Sequence, residues 1–151
     1  SSECVLPICK SPSTFQHTVQ SQVTGGKGGH SGLEIREKRE NAIHLLVRVL
    51  RSLPRTGWEL AGIRGGERSN AIPVGAVAHL NTDCPQDIRQ AVANFTTQHH
   101  SEWRDDEPEL TIRAEIASRM EQVYEAESAE QIFLQYFICR TSNIFFMTPS
   151  W

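Results

Sequence analysis

Trp58-Glu-Leu-Ala-Gly-Ile-Arg-Gly-Gly-Glu-Arg-Ser-Asn-Ala-Ile-Pro-Val-Gly-Ala-Val-Ala-His-Leu80 is the stretch that decides the fold. Trp58 to Ile63 reads as a strand, Gly65-Gly66 as a turn, and Ala71 to Leu80 as a second strand of alternating small apolar residues. Upstream, Ala42, Leu45, Leu46, Val49 and Leu53 recur at helical spacing from about Arg36 until Pro54 stops the run. Further upstream, residues 14 to 24 set Phe15, Val19 and Val23 on one face. Gln16, Thr18, Gln20 and Gln22 lie on the other, the pattern of a half-exposed strand. Downstream, Asp83 is the expected N-cap of a second helix, with Pro85 in its first turn and Gln86 at the capping-box position. Ile88, Val92 and Phe95 form its buried stripe, and Leu110 to Ile116 alternates as a fourth strand.

The order strand, helix, strand, strand, helix, strand predicts an α+β domain of the ferredoxin-like βαββαβ type. Its four-stranded antiparallel sheet would carry two helices on one face. Ala129 to Phe137 is a third helix candidate, and Ile144-Phe-Phe-Met147 opens an apolar tail. The expected division is an N-terminal segment over 1–13, the main domain over 14–117, and a C-terminal helix and tail over 118–151.

A chain of 151 residues with 38% hydrophobic content is long enough for one real core. Its formal charge of -3 and isoelectric point near 6.1 argue against nucleic acid or an anionic membrane as partner, since those need a clustered basic face. No apolar run approaches the roughly 20 residues of a membrane span. Cys4, Cys9, Cys84 and Cys139 show no metal-finger or Cys-x-x-Cys spacing, and so few scattered thiols fit a cytoplasmic protein.

The loop Gly25-Gly-Lys-Gly-Gly-His-Ser-Gly32 isolates one histidine. Gly28, Gly29, Ser31 and Gly32 leave little bulk to bury the His30 ring, so the imidazole is presented rather than packed. A loop entering a helix also aims backbone N–H groups and the positive dipole end at an anionic or developing-anion ligand. The plainer alternative is a tight turn. The Gly-x-x-x-x-Gly-Lys-Ser/Thr phosphate cradle is not matched, because His30 precedes Ser31 where lysine is required. His99-His100 with Glu102 reads as solvated helix surface, since adjacent helical residues point about 100° apart. Asp105-Asp106-Glu107 reads as a solvated loop.

In order along the chain come Gly28-Gly-His-Ser-Gly32, Glu34-Ile35, Asn41-Ala42 with Leu45-Leu46, Gly65-Gly66 and Arg68-Ser-Asn-Ala-Ile-Pro73. This series resembles the aminoacyl-histidine dipeptidases, members of the cocatalytic-zinc exopeptidases that include carnosinases and succinyl-diaminopimelate desuccinylase. The resemblance is strongest over residues 14 to 80. It implies that the chain corresponds to the lid, or dimerisation, domain of such an enzyme rather than to its catalytic domain.

The resemblance further implies that His30 is offered across a homodimer to the partner subunit's active site, where it hydrogen-bonds the scissile carbonyl oxygen of a dipeptide. It implies substrate contacts for Asn70 and, toward a peptide carboxylate, for Arg68. From spacing alone, Asn70 reads as a turn residue and Arg68 as a solvated side chain. Two zinc ions would belong to the catalytic domain of the parent enzyme. The His-x-Asp and Glu-Glu motifs that related enzymes use for them do not occur in this sequence. The chain alone is therefore expected to hold no metal and to hydrolyse no peptide. With its start at Ser1, the expectation is an excised domain or a truncated homologue. The competing readings are a free-standing homodimeric ferredoxin-like binding module and, further off, an unrelated small-anion binder on the glycine loop.

Overall fold

The computed structural model describes residues 7–28, 41–65 and 74–138. Strand β1 (Lys10–Pro12) is followed by β2 (His17–Thr24), helix α1 (Ala42–Ser52), β3 (Trp58–Gly65), β4 (Ala76–Thr82) and helix α2 (Pro85–His99). A 3₁₀ turn over His100–Glu102 leads to β5 (Thr111–Ala117), β6 (Gln122–Tyr124) and helix α3 (Ala126–Ile138). The main sheet has the order β3-β4-β2-β5, antiparallel at every step. With α1 and α2 as the crossovers, this is the ferredoxin-like arrangement.

The register explains how one face became the core. Leu60, Leu80, Val19 and Ile116 share one cross-strand row, and Ile63, Ala78, Ser21 and Ala114 share the next. Both helices pack on this face, α1 against β2 and β4 and α2 against β5 and β2. The opposite face carries Gln20, Gln22, His79, Arg113 and Glu115, partly or fully exposed. Burial, and next the charge of Arg64, hold His79 there below the ordinary histidine range.

Helix α1 is buried more completely than a single stripe requires: Ile43, Leu45, Leu46, Val47, Val49 and Leu50 are all inside. The sheet covers one side and α3 another, with Ile132, Phe133 and Tyr136 buried beside it. Each fully buried aliphatic side chain of this kind contributes about 1.5–3 kcal/mol. Burial, with Tyr124 nearby, pushes the Tyr136 phenol up to about 12.

Several local expectations are corrected. Helix α1 opens at Ala42 rather than near Arg36, because Asn41 is extended and its Oδ1 accepts from the N–H groups of Ile43 and His44. Cys84, not Asp83, is the N-cap of α2, since Pro85 takes the first helical position. The Asp83 carboxylate accepts from Gln16 N–H instead, and Gln86 from Arg89. Thr18 lies on the expected face but is fully buried. Its hydroxyl donates to Asn81 Oδ1 at 2.7 Å and accepts from Met120 N–H, while Asn81 Nδ2 donates to the Met120 carbonyl.

The segments flanking the main domain meet in space. β1 pairs antiparallel with β6, and Arg119 donates to the carbonyls of Ser13 and Phe15. The third helix runs over Ala126–Ile138, slightly longer than expected; the tail at 144–147 lies outside the described residues.

Candidate functional site

The glycine loop leaves the sheet at the end of β2, where Val23 pairs with Ala76, Ala76 with Gly65, and Thr24 with Thr111. The start of α1 lies over this same end. A Cβ on Gly65 would stand 2.6 Å from Ile43 Cγ1 and 2.9 Å from the Ala76 Cβ. So the residues that bound 29–40 and those that bound 66–73 converge on one end of the domain. His30, Gly29, Ser31, Gly32, Arg68 and Asn70 all fall in these two intervals, outside the described residues.

The described part of the loop shows why glycine is needed. Gly25 has φ +82°, and a Cβ there would meet the Glu109 carbonyl oxygen at 2.1 Å. Gly26 donates its N–H to the Val74 carbonyl at 3.1 Å, which ties the loop to the entry of β4. Gly28 is buried with φ +68°. Between them, the Lys27 N–H donates to Glu107 Oε1 at 2.7 Å.

Glu107 corrects the reading of 105–107 as a solvated loop, because it is 1% exposed. The turn after α2 folds back through Trp103 O···H–N Glu107 and Glu107 O···H–N Leu110, carrying the carboxylate inward beside buried Trp103 and Leu110. The signal was present in the sequence as two large apolar residues four before and three after the glutamate. A second correction concerns the helix end. Asn41 already takes the Ile43 and His44 N–H groups, so these two donors are not offered to a ligand.

His99, Glu102 and Arg48 form a surface cluster rather than independent solvated groups. His99 Nδ1 lies 2.6 Å from Glu102 Oε2 and stacks on Phe95, with ring centroids 4.4 Å apart. Arg48 reaches Glu102 at 2.9 Å across from α1. The His99 hydrogen bond, then Arg48, hold the Glu102 carboxyl below its ordinary range. This cluster joins α1 to α2. Among the described residues, no group of three or more His, Cys, Asp or Glu side chains could hold a metal ion. Among them too, no helix is long and apolar enough to cross a membrane.

Residues 17–107 match the family model described as the peptidase dimerisation domain. The chain belongs to the peptidase dimerisation domain family. Its match spans β2 to the turn after α2 and so takes in both the glycine loop and Glu107. Among solved structures, the dimerisation domain is similar to an aminoacylhistidine dipeptidase from Vibrio alginolyticus. The TM-score is 0.78 and the identity 24%, over 89% of this chain and 28% of that one. An aminobenzoyl-glutamate utilization protein from Klebsiella pneumoniae is similar with a TM-score of 0.50 and 10% identity, over 78% of this chain and 30% of that one. The chain thus spans less than a third of the length of either protein. None of the curated proteins matches it.

Proposed function

We propose that this chain is the lid and dimerisation domain of a zinc peptidase of the aminoacyl-histidine dipeptidase kind. In this reading residues 14–117 form the lid unit and pair with a second copy of the chain. His30, on the loop Gly28-Gly-His-Ser-Gly32, is presented to the partner subunit's active site. There its ring N–H donates to the scissile carbonyl oxygen as negative charge develops, a contribution on the order of 3 kcal/mol. Asn70 and Arg68 contact the dipeptide from the neighbouring interval, Arg68 through the carboxylate. The two zinc ions belong to a catalytic domain that pairs with this one. Thiols at Cys9 and Cys84 suit a cytoplasmic setting.

The observation that carries this reading is the family match over residues 17–107, joined to the hydrogen-bonded exit of the glycine loop. The Gly26 and Lys27 N–H groups donate to Val74 and Glu107, and Gly25 lies close against the Glu109 carbonyl. A donor acting on a transition state needs such an anchored base, because a small displacement forfeits its effect.

The test is to graft this chain in place of the lid of the Vibrio alginolyticus dipeptidase and to follow dipeptide hydrolysis. His30→Ala in the graft is expected to lower kcat about 10²–10³-fold without changing sedimentation. Mixing that variant with a graft disabled at its metal ligands should restore activity, since an intact active site then meets an intact His30 across the dimer. A His30→Ala graft with undiminished kcat overturns the role in trans.

A further inference from the structure

Of the acidic side chains among the described residues, Glu107 alone is buried, at 1% exposure. Glutamate is rarely taken fully out of water without a partner for its charge, because desolvating a carboxylate is unfavourable. One oxygen of this carboxylate receives backbone: Oε1 accepts the Lys27 N–H at 2.7 Å, three residues before His30. Three Cα steps span at most about 11 Å.

The carboxylate is carried by the core rather than by the surface. Helix α2 buries Ile88, Val92 and Phe95. In the turn after it, the Glu107 N–H donates to the Trp103 carbonyl at 2.7 Å and the Leu110 N–H to the Glu107 carbonyl at 3.2 Å, with Trp103 and Leu110 both buried. Pro108 restricts the Glu107 backbone further. The loop on the other side of the contact has little with which to hold itself. Gly25, Gly26, Gly28 and Gly29 have no side chain to pack, and Lys27 is exposed. Its path is therefore set through its backbone groups.

We propose that Glu107 is a positioning residue for His30. By holding the Lys27 amide it sets the direction in which the loop leaves β2, and so where the imidazole N–H stands relative to the scissile carbonyl oxygen. This rests on the catalytic reading of His30 and names the residue through which the fold controls it. A donor at an oxyanion acts only within a narrow range of distance, and a displacement of about 1 Å can cost about 10²-fold in rate. The neighbouring tie has a different destination. The Gly26 N–H donates to the Val74 carbonyl at 3.1 Å, next to the interval that carries Arg68 and Asn70, and Glu107 takes no part in that bond. Loss of the carboxylate therefore acts on turnover through His30 and leaves the substrate contacts, and with them KM, nearly intact.

The test measures kcat and KM in the grafted dipeptidase, with sedimentation and circular dichroism showing that each variant is folded and assembled. Glu107→Ala is expected to lower kcat about ten- to a hundredfold and to change KM less than about threefold. Glu107→Gln keeps a carbonyl acceptor and is expected to recover kcat to within about fivefold of the wild type. Glu107→Met keeps the bulk without an acceptor; it is read in place of alanine if that graft does not fold, with the same loss expected. The deciding arm adds the Glu107 substitution to His30→Ala. A positioning residue has nothing left to act through there, so kcat is expected to stay within about twofold of His30→Ala alone, whereas a merely structural loss would repeat in full. If the Glu107 substitution leaves kcat unchanged, or lowers it equally in both backgrounds, the role of Glu107 is overturned while that of His30 stands. A His30→Ala graft with undiminished kcat overturns both.

Discussion

The backbone N–H of Lys27 donates to Glu107 Oε1 at 2.7 Å, joining residues 80 apart in sequence, and Glu107 is itself buried. This contact fastens the base of the glycine loop to the turn after α2. Replacing Glu107 by alanine leaves the part-buried Lys27 amide donor without this acceptor. The expected loss is about 1.5–3 kcal/mol in denaturant unfolding, with faster hydrogen exchange at Lys27. Glu107→Gln keeps a carbonyl acceptor and should lose less.

Two glycines with positive φ separate conformational strain from crowding. Gly57 has φ +93° with nothing within 4 Å of a built Cβ, whereas Gly25 has φ +82° and the Glu109 oxygen at 2.1 Å. Gly57→Ala should therefore cost about 1–2 kcal/mol, the left-handed backbone penalty alone. Gly25→Ala should exceed about 3 kcal/mol, because backbone rather than a flexible side chain must move. Unfolding midpoints of the two variants, compared in one buffer, give the difference.

Asn41 caps α1 through two hydrogen bonds at 3.0 and 3.1 Å. Asn41→Ala is expected to cost about 0.5–2 kcal/mol, and Asn41→Asp to retain most of the stability. Loss of the cap should also raise exchange at the Ile43 and His44 amides, next to where the glycine-loop interval rejoins the fold.

The Glu102 carboxyl is held below its ordinary value of 4.5, first by the His99 hydrogen bond and then by Arg48. A depressed acid contributes stability above its unfolded pKa and loses it as pH falls through the folded one. Stability should therefore decline below about pH 4.5, and Glu102→Gln should remove part of that slope. The side chain is 43% exposed, so the contribution is small and shrinks further with salt. A set of unfolding curves at descending pH, at low and high salt, reads it out.

Much of the domain is legible in the sequence because period and turn chemistry agree there. Val19 and Val23 alternate with polar neighbours, and Leu45, Leu46 and Val49 recur at helical spacing. Asn41 follows charged residues that also tolerate a helix, so its motif position does not reveal the cap that fixes the start of α1. Glu107 was hidden in an acidic run whose burial depends on a turn folding back, a tertiary event with no local period. The three-residue strands β1 and β6 are too short to show alternation and form because distant segments meet. The glycine loop and the Arg68–Pro73 motif carry the family resemblance. Their adjacency follows from strand register, with Val23, Ala76 and Gly65 in one row.

The most direct measurement is sedimentation equilibrium of the whole chain, wild type beside His30→Ala, over a wide concentration range. The account predicts a homodimer whose dissociation constant is unchanged by the substitution, because His30 serves the partner's active site rather than the pairing surface. A chain that stays monomeric at the highest concentration would contradict it.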